Sequence, residues 1–250
     1  MPGILDVSDV HKNFGGIRAL DGVSFSLDRP GIYGLIGPNG AGKTTLFDIV
    51  CGRQVPDGGE VRFEAQRIDG AEPYRLARQG FARTFQECRT LPEETCLDNL
   101  LFAAQDKRLT GEFFQAFTRD RTARRNTGEE ARRLLRLVKL DGYADEPASA
   151  LSYGQRRLLE IVSCFMSGPR ILLLDEPASG INPTLLNTLH DFLLELYKET
   201  RIIFLIVEHN MEFIMSVAEE IIVLHQGKVL TRGRPEQVQS DASVIDAYLG

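Results

Sequence analysis

The sequence predicts an α/β protein built on a mixed, mainly parallel sheet, and two observations carry this prediction. Three short apolar runs, residues 32–36, 171–174 and 202–207, each end in polar residues. Unbroken runs of this length are typical of strands buried on both faces, as in a parallel sheet covered by helices. Helical patterns lie between the runs, and this alternation is typical of α/β folds.

Each predicted helix is recognised by a stripe of apolar residues. Leu46, Ile49 and Val50 follow the first run at helical spacing, and Gly52 is well placed to end that helix. One stripe precedes the second run and another precedes the third. Their members are Leu158, Leu159, Ile161, Val162 and Phe165, and then Leu185, Leu186, Leu189, Phe192, Leu193 and Leu196.

The remaining segments predict additions to this core within one domain, residues 1–250. Val23, Phe25 and Leu27 alternate with serines, which indicates a small antiparallel sheet near the N-terminus. This sheet and the core are assigned to residues 1–86 and 160–226. Residues 87–159 are expected to be mainly helical, with the best helix over 129–140. A hairpin and a helix are expected in residues 227–250.

Composition narrows the class of protein. Hydrophobic residues make up 43% and charged residues 26% of the 250, as in a folded domain. The net charge of −6 does not favour a nucleic-acid partner, and no apolar run approaches the roughly 20 residues of a membrane span. Four scattered cysteines without a metal-binding spacing are expected to be free thiols in a reducing cytosol.

A glycine-rich segment follows the first apolar run and fits the pattern G-x-x-x-x-G-K-[ST]. Its glycines let the backbone curl around a polyphosphate, and the following helix directs amide donors at the negative charge. Lys43 is expected to pair with the β- and γ-phosphates of ATP, and the Thr44 hydroxyl to bind Mg²⁺. The alternative is a turn that only joins a strand to a helix. The predicted nucleotide-binding residues here are Gly37, Pro38, Asn39, Gly40, Ala41, Gly42, Lys43, Thr44 and Thr45.

Two carboxylates, Asp175 and Glu176, follow the second apolar run directly. A Mg²⁺-nucleotide needs an acid near the metal, and hydrolysis needs an acceptor that orients or deprotonates water. Asp175, at the strand end, is expected to serve the metal, and Glu176 to serve the water. For the pair taken alone, two surface carboxylates at a strand end are an equal alternative.

The pentapeptide Leu-Ser-Tyr-Gly-Gln at residues 151–155 has two compatible interpretations. Ser152 with Gln155 three residues later is the pattern of a helix capping box. The pentapeptide also resembles the signature motif of ABC-transporter nucleotide-binding domains, usually LSGGQ, with Tyr153 at a more variable position. In that family this helix points at the γ-phosphate held by the other subunit. The resemblance therefore implies a head-to-tail dimer in which Ser152, Gly154 and Gln155 contact ATP in trans.

Four further positions match motifs of that family in order along the chain. Phe14 resembles the aromatic residue that stacks on adenine, although an ordinary core phenylalanine is an equal alternative. Gln86 resembles the glutamine that approaches Mg²⁺ and links hydrolysis to the transmembrane subunit, and His209 resembles the switch histidine at the γ-phosphate. Asn182 stands where the family loop 177–182 more often has Asp, and it is also a good helix N-cap.

The resemblance covers essentially the whole chain. It implies a P-loop NTPase core with an N-terminal antiparallel β subdomain and a helical signature subdomain. The activity that it implies is ATP hydrolysis coupled to transport, with ATP and Mg²⁺ bound. The implied catalytic residues are Glu176, His209, Lys43 and Gln86, and the implied metal residues are Thr44, Gln86 and Asp175.

Local segments are similar to ATPase subunits of branched-chain amino-acid importers and related urea and amide importers. They are residues 13–16, 151–157, 175–183, 207–211 and 244–250. The implied partners are a second cassette in a homo- or heterodimer, transmembrane permease subunits and an extracytoplasmic solute-binding protein, at the cytoplasmic face of the inner membrane. The alternatives are a lipopolysaccharide-export ATPase, or a non-transport ABC ATPase that acts on ribosomes or DNA.

Overall fold

Two sheets and the helices around them make up the part of the chain that the structure describes. The computed structural model describes residues 3–84, 88–105 and 121–249, without the side chains of residues 105, 121–126 and 249. The strands are β1 (Leu5–Phe14), β2 (Ile17–Leu27), β3 (Gly31–Ile36), β4 (Gly58–Phe63), β5 (Gln66–Arg67), β6 (Phe81–Arg83), β7 (Ile171–Asp175), β8 (Ile203–Val207), β9 (Glu220–His225) and β10 (Lys228–Gly233). The helices are α1 (Lys43–Val50), α2 (Pro73–Gln79), α3 (Cys96–Gln105), α4 (Arg121–Leu137), α5 (Tyr153–Met166), α6 (Pro183–Thr200), α7 (Met211–Val217), α8 (Pro235–Gln239) and α9 (Ala242–Leu249).

The larger sheet has the strand order β10-β9-β3-β8-β7-β6 and is mixed and mainly parallel, as the sequence predicts. Strands β9, β3, β8, β7 and β6 run parallel, and only β10 runs antiparallel to its neighbour. The smaller sheet, β2-β1-β4-β5, is antiparallel throughout and comes from the N-terminal part of the chain, which confirms the second sheet predicted there.

Apolar side chains pack on both faces of the larger sheet. On one face Leu35, Leu173 and Leu205 pack with α1 and with the inner side of the antiparallel sheet. On the other face Phe204 and Ile206 pack with α5, α6 and α7. All residues of β3, β7 and β8 are buried, because the sheet is covered on both sides. This explains why these three strands are unbroken apolar runs in the sequence.

The C-terminal part differs from the expected layout. The turn of the hairpin is Gln226-Gly227, so its first strand, β9, lies before residue 227, and two helices follow it in place of one. Gln226 and Gly227 have φ of 47° and 75°, which suits a two-residue turn with both central residues left-handed. Asn or Asp is usual before the glycine of such a turn, and with Gln there the hairpin signal is weak.

The predicted helix over 129–140 also has different bounds. This helix begins at Arg121 and ends at Leu137. The apolar face that was expected is nevertheless buried, and its members are Ala131, Leu134, Leu135 and Val138. Lys139 adopts a left-handed conformation with φ of 58°, and this ends the helix without a glycine. Strand β6 was not predicted, since three residues are too few for a period to show.

Candidate nucleotide site

The glycine-rich segment lies between β3 and α1, in the context that the sequence predicts. Gly37 and Gly42 have φ of 150° and 100°. A Cβ atom at Gly37 would lie 2.1 Å from the carbonyl oxygen of Leu224, and one at Gly42 would lie 2.5 Å from that of Ala19. Side chains are therefore excluded at both positions, and the loop is held closely against β9 and β2.

Lys43 is the first residue of α1, and it is only 6% exposed. Its ammonium group donates hydrogen bonds to the carbonyl oxygens of Gly37, at 2.6 Å, and Pro38, at 2.9 Å. Burial lowers the pKa of Lys43, and the neighbouring Glu176 carboxylate opposes this shift. The cation is thus held inside the loop, at the helix N-terminus where a phosphate group binds favourably.

Three adjacent strands bring the other predicted residues to this loop. Strands β3, β8 and β7 are parallel neighbours. Because parallel strands end at the same edge of a sheet, the residues after β7 and β8 come to the edge that the glycine-rich loop occupies. These residues are Asp175, which is the last residue of β7, Glu176, which follows it, and His209, which lies shortly after β8. The structure therefore brings together the groups that the sequence assigned to one site.

Glu176 and His209 are in direct contact. The Nε2 atom of His209 lies 3.0 Å from Oε1 of Glu176, and the two side chains are 44% and 33% exposed, respectively. Glu176 has φ of 46°, a conformation that non-glycine residues seldom adopt and that occurs often at functional sites. A carboxylate and an imidazole in contact, both open to solvent, can orient a water molecule and accept its proton.

Asp175 has different surroundings from its neighbour. Its side chain is 2% exposed, and its Oδ2 atom accepts a hydrogen bond from Nη2 of Arg83 at 2.9 Å. Burial raises the pKa of Asp175, and the guanidinium group of Arg83 opposes that shift. Arg83 also binds Asp48 of α1 at 2.6 Å and lies over the Phe47 ring. The aspartate is thereby fixed in position between β6 and α1.

Arg157, on α5, holds the backbone of both acids. Its guanidinium group donates to the carbonyl oxygen of Asp175 and, at 3.4 Å, to that of Glu176. It also forms a buried ion pair with Glu160 at 2.8 Å. Neither Arg83 nor Arg157 has a role that can be predicted from the sequence, because a single arginine has no spacing that indicates its partner.

The start of α5 confirms the capping box. The Ser152 hydroxyl accepts from the Gln155 backbone N–H at 3.4 Å, and the Gln155 side-chain oxygen accepts from the Ser152 N–H at 2.9 Å. The ring of Tyr153 lies against Gly180, where a Cβ atom would come within 2.7 Å of it. Tyr153 therefore packs on the loop 177–182, which gives this unusual signature residue a packing role.

Phe14 is 45% exposed at the end of β1, so the alternative that it is a core residue is wrong. The adjacent backbone N–H of Asn13 donates to Asp57 at 2.7 Å, and Lys12 binds the same carboxylate at 2.9 Å. The Lys12 ammonium group lies 5.6 Å from the centre of the Phe14 ring. Phe14 thus offers an open aromatic surface on an anchored strand end, which suits stacking on a base.

The donor set suits Mg²⁺ bound together with a nucleotide. The side chains of Thr44 and Asp175 offer oxygen atoms, which this hard cation prefers. Among the residues that the structure describes, no three His, Cys, Asp or Glu side chains form a cluster that could hold a metal. Mg²⁺ commonly binds through one or two protein oxygens and substrate phosphates, and this arrangement fits that mode. Gln86, the third predicted metal residue, lies outside the described residues.

A family model described as ABC transporter matches residues 20–179. The chain belongs to the ABC transporter family. This cassette is 40% identical over 250 residues to the high-affinity branched-chain amino acid transport ATP-binding protein BraF of Pseudomonas aeruginosa, covering 99% of this chain and 98% of the relative. It is 38% identical, with the same coverage, to LivG of Escherichia coli, which carries the same description.

The fold of the cassette is also similar to that of a solved member of the family. A crystal structure of the ADP conformation of an ATP-binding cassette of an ABC transporter has a TM-score of 0.83 and 32% identity, and both chains are covered completely. The cassette is thus an ATP-binding ATPase subunit with the P-loop NTPase fold. Cassettes of this family work as dimers with transmembrane permease partners. No helix in the described ranges is long and apolar enough to cross a membrane.

Proposed function

We propose that this cassette hydrolyses ATP to drive the import of branched-chain amino acids, with Glu176 acting on the attacking water. The contact of 3.0 Å between Glu176 and His209, at the strand edge beside Lys43, is the observation that carries this proposal. Similarity to two ATP-binding proteins named for branched-chain amino acid transport supports the substrate class.

In the proposed mechanism, the loop 37–45 binds the triphosphate and Phe14 stacks on the adenine ring. Lys43 and the N-terminus of α1 stabilise negative charge on the phosphates. Glu176 orients the water and accepts its proton, while His209 donates to an oxygen of the γ-phosphate. Thr44, Asp175 and Gln86 would hold Mg²⁺, which would supply positive charge to stabilise the triphosphate.

The remaining roles concern partners. A second cassette, in a homo- or heterodimer, would bind head-to-tail and contribute Ser152, Gly154 and Gln155 to each site. Permease subunits would hold the dimer at the cytoplasmic face of the inner membrane, and an extracytoplasmic solute-binding protein would deliver the amino acid. Exposure of the Ser152 side chain at the start of α5 supports a contact of this kind.

The decisive experiment replaces Glu176 by Gln, which keeps the size of the side chain and removes the proton acceptor. We expect ATP to bind with unchanged affinity, while turnover falls about a hundredfold or more, equivalent to roughly 2.7 kcal/mol of barrier. Cells that carry the variant as their only copy should lose uptake of labelled leucine. Exposed Glu212, on α7, provides a matched Glu→Gln control.

The possible outcomes distinguish the role of Glu176 from the class of the transported substrate and from transport itself. Normal ATP turnover by E176Q would contradict the role of Glu176. Lost turnover with unchanged leucine uptake would contradict the substrate class, and in that case the same cells should be tested for uptake of urea and short amides. Co-purification with ribosomes or DNA in place of a multi-span membrane protein would contradict transport altogether.

A further inference from the structure

Glu208, the residue before His209, is a buried carboxylate that the roles above do not use. It is 3% exposed and directly follows the last residue of β8. Its Oε1 atom accepts a hydrogen bond from the Ala178 backbone N–H at 2.7 Å. Its Oε2 atom accepts from the backbone N–H groups of His209, at 2.8 Å, and Asn210, at 2.9 Å. One side chain thus binds three amides in two separate segments.

Backbone N–H groups, rather than a cation from the described part of the chain, surround the Glu208 carboxylate. Within the described residues, no Lys, Arg or His side chain forms an ion pair with it. Burial of an unpaired carboxylate is costly, and three N–H donors offset part of that cost. A carboxylate serves here where an amide side chain would not, since both of its oxygens must accept.

The two segments that Glu208 joins carry different parts of the machinery. Ala178 lies two residues after Glu176, in the loop 177–182 on which Tyr153 packs. His209 contacts Glu176, and Asn210 caps α7 by accepting from the Phe213 N–H at 3.0 Å. The Glu208 carboxylate is therefore a short connection between the loop 177–182 and the backbone that carries His209.

We propose that Glu208 is a positioning residue that couples the loop 177–182 to His209, so that the Glu176–His209 contact depends on the position of that loop. This inference rests on the proposed roles of Glu176 and His209, and on the proposed head-to-tail dimer, in which the start of α5, packed on this loop through Tyr153, meets the second cassette. Closure of the dimer would then be transmitted through the three amide bonds to the groups that act on water and the γ-phosphate. ATP binding by the single cassette does not depend on this connection.

Replacement of Glu208 by Gln tests the proposal, because only one oxygen remains. If that oxygen accepts from His209 and Asn210, the amide nitrogen faces the Ala178 N–H, and the connection to the loop is lost. Loss of alignment by about 1 Å can reduce a rate by up to about a hundredfold, so we expect turnover to fall at least about tenfold with ATP affinity within about twofold. E212Q is the matched control and should behave like the unmodified cassette.

A second measurement distinguishes coupling from a local structural defect. ATP-driven dimer formation is compared by light scattering for E176Q and for the double variant E176Q/E208Q, neither of which turns over ATP quickly. If Glu208 couples the loop to the site, the double variant should dimerise at least about fivefold more weakly than E176Q when ATP is present. Without ATP, the two variants should dimerise to the same extent. Equal dimerisation in ATP, or turnover by E208Q equal to that of E212Q, would overturn the proposal.

If E208Q does not fold, E208D replaces it in both assays with the same expected results. Its shorter carboxylate can still accept from the Asn210 N–H two residues on, as in an Asx turn, but does not reach Ala178. Normal turnover by E176Q would show that the proposed function has failed, whereas slow E176Q with fully active E208Q contradicts only the role of Glu208.

Discussion

Asp175 and Glu176 are neighbours in the chain, yet their surroundings separate their chemistry. Asp175 ends β7 with its carboxylate buried against Arg83, whereas Glu176 leaves the strand and is open to solvent beside His209. The order of the two acids predicts a metal role for Asp175 and a water role for Glu176, and the two different surroundings are compatible with that prediction. The partner of Asp175, Arg83, was not predictable, because β6 becomes the neighbour of β7 only when the sheet forms.

The reactivity of Cys88 and Cys164 tests how individual side chains are packed, and it depends on pH through the pKa of each thiol. Burial, assisted by Glu160, raises the pKa of Cys88 to about 11 and that of Cys164 to about 12. A thiol whose pKa is raised stays protonated at pH 8, and only the thiolate is nucleophilic. Iodoacetamide should therefore modify both cysteines at least about a hundredfold more slowly in the native cassette than in urea at pH 8.

Mass spectrometry of the labelled peptides measures the two rates separately. Raising the pH from 8 to 10 should accelerate labelling of native Cys88 steeply, since the thiolate fraction increases about tenfold for each pH unit below its pKa. Rates at pH 8 that are equal in native and unfolded protein would contradict the raised pKa values of these two thiols.

The helices show how local signals set element boundaries. Ser152 and Asn182 were both predicted as N-caps, and both accept the expected backbone hydrogen bond at the start of α5 and α6. These predictions succeeded because capping involves residues only three positions apart. The bounds of the hairpin and of α4 were predicted less well, since Gln226 and Lys139 adopt left-handed conformations that their residue types do not indicate.

The N-cap of α6 leads to a prediction about the stability of the cassette. The side-chain oxygen of Asn182 accepts from the Leu185 N–H at 3.0 Å. Asn182→Ala should destabilise the cassette by about 1 kcal/mol and lower the midpoint of thermal unfolding by about 2–4 °C. Asn182→Asp keeps an acceptor and adds a favourable charge at the helix N-terminus, so it should be at least as stable. A midpoint for the alanine variant equal to that of the unmodified cassette would contradict the cap.

At the scale of the whole molecule, the parallel order β3-β8-β7 is what assembles the site. The glycine-rich loop, the two acids and His209 are far apart along the chain, and the shared sheet edge brings them together. The start of α5 belongs to the same chain but, in the proposed function, serves the site of a second cassette. Whether Ser152 acts within its own chain or on its partner is therefore a question about the dimer.

Mixing two inactive variants answers this question. E176Q and Ser152→Ala should each lose most of their turnover. In a head-to-tail dimer of one chain of each, one site carries both changes and the other is intact. In an equal mixture about half of the dimers contain one chain of each variant, and one of the two sites in each mixed dimer is intact. The mixture should therefore recover about a quarter of the unmodified turnover. No recovery would contradict action in trans.

A matched control uses a chain that carries both substitutions. When this double variant is mixed with E176Q, no dimer contains an intact site, so turnover should stay at the level of E176Q alone. Recovery in this control would indicate contamination or exchange with unmodified chain, and it sets the background for the measurement.

The sequence by itself determined the fold class, the glycine-rich loop, the order of the two acids and the helix caps. These features depend on apolar runs, on residue type and on spacings of a few residues, all of which are local. Only the tertiary structure decided that Arg83 pairs with Asp175, that Arg157 holds two carbonyl groups and that Glu208 joins Ala178 to His209. Each of these contacts joins segments that become neighbours when the sheet and its helices pack, so no pattern along the chain encodes the partner.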